Sequence, residues 1–500
     1  MKIIYISILF LLFSLTSCKD NSKIQLDDAS KKELLTETDA LTLMSEVYDT
    51  YQNSEKYLIK GIFYPANLLS QNLKLWGDEG KQYAAFNVSP ANANINNFWV
   101  QSYEGIIKTN KTILSLDYMF EEKIISEETY KRLKGECHFN RGVFYFYLAS
   151  NFGNVPLVQE IDETVELSVA ISTQDEVFSW VVQDLILASE QLPVTFESKS
   201  DTGRATKGAA LAYLGEAYMW LKQYDKAIIA FSQLEKNYEL MPDYIDIHAF
   251  KHQNNKESIF EIQFNGNDNL GWGRDNYSTF IQSFSLPNEL GGAGLVYANP
   301  VLATIFNPTD TRKVATVIGP GESHPDSTIN ISSYNSVQEQ FDGINTLGTK
   351  DKPWLGDDGE RSGYYAIKNW RAPDPSTSAS TVFSKANVIL MRYGQVLLGL
   401  AEAKLNTGDI EGAAELINKI RIRAKVEPTT SKDLLPVLLN EYHFELSSEY
   451  SLWYVLRRSN QHLNFIKTNY NIEIPSGHDL LPIPEQQLKL NKALKQNNGY

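Results

Sequence analysis

GRATKGAALAYLGEAYMWLKQYDKAIIAF, residues 203–231, contains two helical patterns separated by a short polar break. In the first pattern Leu214 and Tyr218 lie on one helix face, with a glycine after the leucine. In the second, Ala227 and Phe231 restart the period. This is the spacing of a tetratricopeptide (TPR) hairpin. Such a hairpin cannot bury its apolar face alone, so the sequence predicts neighbouring helices on both sides.

A second hairpin of the same kind follows later in the chain. Leu400, Ala413 and Ile417 superpose, at one constant offset, on the leucine, alanine and phenylalanine of the first pattern. We therefore predict TPR-like hairpins near residues 203–235 and 391–425. Other material separates the two repeats, so the chain is not a simple uninterrupted solenoid.

Residues 265–380, between the hairpins, differ in character. They contain 13 of the 29 glycines and show almost no helical period, which predicts an irregular region of loops and short strands. Loops on a rigid scaffold are where binding surfaces usually lie. The rest of the chain predicts five more helices, over 41–51, 99–114, 127–152, 177–192 and 434–458. It also predicts a loop excursion at 68–90 and one short strand at 258–264.

Composition excludes two broad classes of protein. The 500 residues are 43% hydrophobic and 21% charged, which is ordinary for a folded globular protein and unlike a disordered chain. The formal net charge of −15 argues against general nucleic-acid binding, which needs a basic surface to hold phosphates.

The N-terminus predicts export and lipid attachment. The apolar run in residues 1–17 is too short to span a bilayer and indicates a secretory signal. Leu-Thr-Ser-Cys at its end resembles the bacterial lipobox, in which Cys18 becomes the lipidated first residue. An ordinary signal with a chance cysteine is the alternative. Cys137 is the only other cysteine, and its helical surroundings indicate a buried thiol. Residues 18–32 are predicted to be the lipid anchor and tether.

With these residues in view, the chain resembles the SusD/RagB family of surface nutrient-binding lipoproteins of the Bacteroidetes. The resemblance runs nearly end to end through blocks in the family's order: FNRGVFYFYLASNFGNVPLV at 139–158, the R-x-T-K-G-A-A pattern from Arg204, the R-Y-x-x-V-L-L pattern from Arg392 with I-N-x-I-R-x-R-A, and LLPIPEQQLKLNKALKQNNGY at 480–500.

The resemblance implies a mainly α fold in which residues 33–500 form one SusD-like nutrient-binding domain, with the TPR-like hairpins as scaffold and residues 265–380 facing the ligand. It implies no catalysis and no cofactor. It also implies a partner, a SusC-like TonB-dependent outer-membrane transporter over which the lipoprotein sits as a lid. The usual cargo is an oligosaccharide, although some relatives carry peptides.

One block departs from the family pattern. Residues 440–458 keep three glutamates four residues apart, Glu441, Glu445 and Glu449. Tyr450, Leu452 and Val455, however, replace the usual glycine, arginine and aspartate. This departure calls into question a local ion-pair network of the family.

The candidate ligand residues combine flat aromatic rings with polar groups. A sugar presents an apolar C–H face and a rim of hydroxyls, so a site for it needs both. Trp99, Trp180, Trp220 and Trp453 lie in helical patterns and are predicted to be core residues. Eight residues in turn-rich segments are the ligand candidates: Trp76, Asp78, Tyr83, Trp272, Asn276, Tyr277, Trp354 and Trp370.

Other chemistries have weaker signals. His248 and His252 are four residues apart but lack the glutamate of a zincin helix, which indicates solvated surface histidines. Residues 356–360 supply oxygen ligands for Ca²⁺ without EF-hand spacing. Acidic pairs such as Asp78-Glu79 are expected by chance among 61 acidic residues. Two alternatives to glycan capture are a peptide-binding SusD/RagB-type protein and a TPR scaffold that binds only proteins.

Overall fold

Helices dominate the computed structural model, which describes residues 35–159, 169–264, 285, 294–319, 322, 324–325, 338–341, 344–347, 364–368 and 386–500. The α-helices of these ranges are α1 (Glu37–Gln52), α2 (Asp78–Ala84), α3 (Ala93–Glu121), α4 (Glu127–Phe152), α5 (Gln174–Gln191), α6 (Lys207–Trp220), α7 (Tyr224–Ser232), α8 (Pro300–Thr304), α9 (Arg312–Thr316), α10 (Tyr393–Asn406), α11 (Ile410–Arg423), α12 (Leu435–Leu446), α13 (Leu452–Arg458), α14 (His462–Tyr470) and α15 (Glu485–Leu490). The predicted mainly α fold is confirmed.

Short antiparallel strand pairs complete the described structure. The strands are β1 (Leu73–Leu75), β2 (Val155–Pro156), β3 (Ile171–Ser172), β4 (Ser258–Ile262), β5 (Val296–Ala298), β6 (Val317–Ile318), β7 (Gln338–Phe341), β8 (Ile344–Leu347), β9 (Tyr365–Ala366) and β10 (Val388–Arg392). They pair as β1–β5, β2–β3, β4–β10, β6–β9 and β7–β8. The strand predicted at 258–264 is confirmed as β4, and Ile262 pairs with Val388 across the β4–β10 ribbon.

The two predicted hairpins are present as α6–α7 and α10–α11. The Thr206 hydroxyl caps α6 by accepting from the Ala209 N–H at 3.2 Å, and the Asp409 carboxylate caps α11. The hairpins lie far apart in the sequence, yet α7 packs directly on α10. The second hairpin therefore provides one of the neighbours that the first hairpin was predicted to need.

The long helices end where turn chemistry predicts. Helix α4 coincides with the predicted 127–152, and it stops at Gly153, whose φ of +74° suits glycine. A Cβ at Gly153 would lie 2.9 Å from Leu480 Cδ1, so the C-terminal tail packs against this turn. Helix α5 begins at a capping box between Thr173 and Glu176, three residues before its predicted start.

Two local predictions are wrong. Residues 68–90 contain part of a π-helical segment (Pro65–Leu69), then β1 and α2, rather than a loop excursion. The helix predicted over 434–458 is interrupted between α12 and α13, where Ser448 has a φ of +63°. The interruption brings the Glu449 carboxylate within 2.7 Å of Arg392 Nε, so a charged contact accounts for the break.

The hydrophobic core joins elements from both ends of the chain. The Tyr51 ring of α1 lies 5.0 Å from that of Phe144 in α4, between ring centroids. Trp99 and Trp453 are buried, while Trp180 and Trp220 are half-buried against the same core, as predicted. Cys137 is fully buried, which confirms the predicted buried thiol, and burial raises the pKa of that thiol. No helix in the described ranges is both long and apolar enough to cross a membrane.

Candidate functional site

Trp76 is an exposed aromatic residue on an ordered ribbon. It directly follows β1, and its N–H donates to the Leu295 carbonyl at 2.9 Å, which extends the β1–β5 pairing by one residue. Its side chain is 43% exposed. Trp76 is therefore exposed to solvent, and its backbone is held in place by the strand pairing.

The turn after Trp76 is followed directly by two acidic residues. Gly77 has a φ of +92°, a conformation that favours glycine. Asp78 is exposed at the first position of α2. Glu79 accepts hydrogen bonds from Asn92 Nδ2 at 3.2 Å and from Asn94 Nδ2 at 2.6 Å, so α2 is tied to the start of α3.

Helix α2 also lies very close to β1. A Cβ at Gly80 would come within 1.6 Å of the Leu75 carbonyl oxygen, so this position requires glycine. The ribbon, the turn and α2 therefore form one rigid unit. An exposed indole next to an exposed carboxylate can stack on the C–H face of a sugar ring and accept hydrogen bonds from its hydroxyls.

Tyr83 does not belong to this surface. The structure places it in the core at 0% exposure, where its ring lies 6.4 Å from that of Tyr64. Burial raises the pKa of the Tyr83 hydroxyl well above its usual value. The apolar face of α2 has to be buried against the core, and Tyr83 lies on that face. Its selection as a ligand contact is therefore corrected.

The remaining sequence candidates lie outside the described residues. These are Cys18, Trp272, Asn276, Tyr277, Trp354 and Trp370, together with the acidic residues 356–360. Of the eight ligand candidates, Trp76 and Asp78 are exposed positions two residues apart, and Tyr83 is buried. The five candidates outside the described residues stay predictions.

The structure contains a cluster of buried charged residues, called here the buried charge network. Its cations are Arg312, Lys368, Arg392 and Arg423, and its carboxylates are Asp310, Glu257, Glu441, Glu445 and Glu449. Arg392, at the end of β10, is its centre. Its Nε donates to Glu449 at 2.7 Å, and its Nη1 donates to Glu257 at 2.8 Å and to Glu445 at 2.7 Å. One guanidinium thus joins three segments of the chain.

The network ties described parts of the 265–380 region to the helical scaffold. Arg312 Nη1 in α9 donates to Glu441 at 2.7 Å, and Lys368 Nζ after β9 donates to Glu449 at 2.9 Å. Arg423 of the second hairpin donates to Glu257 at 3.1 Å. The 265–380 region and the TPR-like frame therefore share one set of ion pairs.

The surroundings set the charge state of these groups. Burial alone would raise the pKa of Glu445, but the guanidinium groups of Arg423, Arg392 and Arg312 lower it to about 2. Burial lowers the pKa of Lys368 to about 8, against the opposing attraction of Glu449.

The departure at residues 450, 452 and 455 therefore does not remove the local ion pairs. The three glutamates that are kept find their cations on other elements, up to 133 residues away in the case of Glu445 and Arg312. The one signal in the sequence was the repeat of glutamate every four residues along an otherwise apolar helix, which places several acids on one buried face.

His248 was predicted to be a solvated surface residue, and this is wrong. It is 8% exposed, and its Nε2 lies 3.5 Å from Glu449 Oε1, at the edge of the network. His252 is 3.6 Å from Asp246. The described ranges contain no group of three His, Cys, Asp or Glu side chains placed to hold a metal ion.

Comparison with known proteins gives two matching family models. Residues 256–500 match the one described as "SusD family", and residues 17–219 match the one described as "Starch-binding associating with outer membrane". Among curated relatives, SusD-like protein P2 of Formosa agariphila is 24% identical over 473 residues, covering 87% of this chain and 87% of that protein.

Solved structures share the fold. A surface glycan-binding protein A from Bacteroides fluxus superposes with a TM-score of 0.75 at 21% identity, covering 93% of this chain and 100% of that one. A protein described as a laminarin binding SusD-like protein gives a TM-score of 0.74 at 21% identity, with the same coverage. The helical scaffold described above is thus that of these proteins.

Proposed function

The chain belongs to the SusD/RagB family, and from this membership we propose that it captures oligosaccharides at the cell surface and passes them to a SusC-like TonB-dependent outer-membrane transporter without chemical conversion. The observation that carries the proposal is the exposure of both Trp76 and Asp78, two residues apart on the same turn. The laminarin-binding relative with this fold supports glycan as the ligand class.

The ligand surface of this proposal extends beyond Trp76 and Asp78. Trp272, Asn276, Tyr277, Trp354 and Trp370 are assigned to it from the sequence. Several aromatic planes are needed to hold successive sugar rings, because one stacked ring contributes only about 0.5–1.5 kcal/mol beyond its buried area. Loops carried by a rigid frame are suited to setting such planes at the spacing of one glycan.

Lipid attachment through Cys18 would hold the protein on the outer membrane. The family description that names outer-membrane association supports this location. The net charge of −15 opposes binding to an anionic membrane surface, so attachment depends on acyl chains, of which more than one is needed for stable anchoring. The hairpins α6–α7 and α10–α11 are the part we assign to docking on the transporter.

Absence of catalysis is part of the proposal. Glu445 and Glu449 are held ionised by surrounding cations, with the pKa of each lowered. A glycosidase needs one carboxylic acid with a raised pKa facing a second carboxylate. The carboxylates of the buried charge network are therefore suited to fixing the scaffold and not to hydrolysis.

Affinity electrophoresis of the lipid-free protein against a polysaccharide panel that includes laminarin tests the proposal. We expect retardation by at least one glycan, and loss of it when Trp76, Trp272, Trp354 and Trp370 are all changed to Ala. Unchanged binding by that variant would place the sugar site elsewhere. Binding of peptides without any glycan would overturn the cargo class, and release of sugar products would overturn the absence of catalysis.

The TPR-like hairpins favour one second candidate, a scaffold that binds only proteins. The α7–α10 stacking is the arrangement from which TPR proteins build their binding surfaces. Failure of the protein to bind any glycan or peptide, together with stable association with the transporter, would favour this alternative.

A further inference from the structure

A cavity lies where α6, α13 and α14 approach the start of α5. None of these helices belongs to the Trp76 surface. The volume of the cavity is about 390 Å³, and its lining includes Trp220, Lys222, Arg457, Arg458 and Asp479. This volume is at the small end of the range for ligand pockets and suits a ligand of about one sugar ring.

Arg457 is the one buried cation of the described ranges that has no close carboxylate. The other six buried Arg and Lys side chains each have a nitrogen within 3.1 Å of a carboxylate oxygen: Arg141, Arg312, Lys368, Arg392, Arg423 and Arg458. For Arg457 the nearest such distance is 3.9 Å, from its Nε to Asp479 Oδ2. A buried charge whose nearest carboxylate is this distant is incompletely compensated, so this position favours a ligand that supplies a closer carboxylate.

The surroundings of Arg457 leave part of its guanidinium without a hydrogen-bond acceptor. The residue is 8% exposed, its Nη1 donates to the Ser150 carbonyl, and its Nε makes no hydrogen bond within the described structure. Its guanidinium carbon lies 5.6 Å from the centre of the Trp220 ring. Burial lowers the pKa of Arg457 to about 10, so it is still a cation at neutral pH.

Arg458 lines the same cavity, but its guanidinium is already paired with two buried carboxylates. Its Nε donates to Glu216 at 3.0 Å and its Nη1 donates to Glu402 at 2.8 Å. Lys222 is exposed at the rim, in the turn between α6 and α7. Arg457 is therefore the group whose hydrogen-bonding capacity is available to a ligand.

We propose that this cavity binds the carboxylate of a uronic acid, with Arg457 donating to the carboxylate and Trp220 forming the wall beside the ring. A guanidinium matches a carboxylate because its donors form a planar fork. Gln174 and Asn460 also line the cavity and supply amide groups for sugar hydroxyls. The sugar part of the ligand rests on the proposed function, whereas the carboxylate part rests on Arg457 alone.

Calorimetric titration of the lipid-free protein with galacturonate, galactose and an N-acetylated dipeptide with an unblocked C-terminal carboxylate tests the site. Galacturonate is expected to bind, and galactose to bind at least tenfold more weakly. Equal binding of galactose, or no binding of galacturonate, would overturn the proposal. Tighter binding of the dipeptide would overturn the sugar-acid assignment. Laminarin binding, measured in parallel, reports on the Trp76 surface separately.

Three variants separate a binding role from a structural one. Arg457→Gln is expected to abolish galacturonate binding. Asp479→Asn is expected to strengthen it by about fivefold, because it removes a negative charge near the bound carboxylate. Asp479 is 39% exposed, so this change leaves a folded protein even if Arg457→Gln does not. Lys467→Ala, whose side chain pairs with Glu473, is the control and should bind normally. Weaker or unchanged binding by Asp479→Asn would contradict the proposal.

Discussion

The ring of Phe231 occupies the space that a side chain at Gly215 would need. A Cβ built at Gly215 would lie 2.3 Å from Phe231 Cε1, and one at Gly399 would lie 3.1 Å from Phe231 Cε2. A single phenylalanine of the first hairpin therefore contacts a glycine of each hairpin. Close packing of this kind accounts for small residues at these helix crossings.

Gly215→Ala should destabilise the protein by about 1–3 kcal/mol, because the methyl group overpacks the Phe231 ring. An alanine that replaces an exposed glycine within a helix would instead stabilise the protein by about 1 kcal/mol. A loss of stability therefore indicates that position 215 is in contact with Phe231. Gly399→Ala should have a smaller effect, since its contact is looser. Urea unfolding of the two variants measures this order, and equal effects would contradict it.

Arg392→Met should lower the free energy of unfolding by about 3–5 kcal/mol. The change leaves Glu257, Glu445 and Glu449 short of their shared cation, and a buried charge without its partner is strongly destabilising. Lys467→Met is the matched control, because its pair with Glu473 is on the surface and should change stability by less than about 1 kcal/mol. The midpoint of chemical unfolding compares the two variants, and similar losses would be inconsistent with the network.

Stability should fall as the pH drops from about 4.5 to about 2. The pKa of Glu445 is about 2 in the folded protein, below its ordinary value of 4.5, so unfolding takes up a proton in this range. Its contribution is fully present above pH 4.5 and is lost as the pH falls towards 2, a total of about 3 kcal/mol.

Unfolding midpoints recorded between pH 2 and 7 measure this loss. Glu445→Gln should be less stable at neutral pH and should show a flatter acid slope, because the titrating group is gone. Glu127, exposed and paired with Lys131, is the control position, and Glu127→Gln should keep the slope of the parent protein. A slope unchanged by Glu445→Gln would assign the acid transition to other groups.

Trp76→Ala should weaken glycan binding by about tenfold, since a stacked ring and its buried area are lost. Tyr83→Phe should leave binding unchanged, because that ring is in the core. Both are measured by titration with the glycan that binds most tightly in the panel. A loss of binding by Tyr83→Phe with native stability would return that residue to the ligand surface.

Cys18→Ala should release the protein from the outer membrane, because the acylated position is removed. Fractionation of cells that produce the variant measures the release, with Cys137→Ala as the control. Cys137 is buried in α4, so its replacement should leave membrane attachment intact. Outer-membrane retention of the Cys18→Ala variant would show that another feature attaches the protein.

Local patterns in the sequence were sufficient for the scaffold. The period of apolar residues and the turn after Gly153 located α4, and the offset between the two repeats located both hairpins. Such features depend on neighbours within a few residues, where spacing and capping chemistry act directly.

Contacts between distant residues could not be predicted in this way. The burial of Tyr83, the position of His248 beside Glu449 and the cations that reach Glu445 depend on how separate segments meet in space. The break after α12 has the same origin, because the need to pair Glu449 with Arg392 outweighs the local preference for one continuous helix.

The pairing of β4 with β10 has a consequence for how such a protein can diversify. Ile262 and Val388 are cross-strand partners, so the chain leaves and rejoins the β4–β10 ribbon at one place, while β5, Arg312 and Lys368 contact the scaffold at further points within the interval. A change of length inside that interval leaves the hairpins where they are, and each doubling of a flexible loop adds only about 0.6 kcal/mol to its closure. New ligand preferences can therefore be acquired by changing the stretches between these contacts, provided that β5, Arg312 and Lys368 are kept.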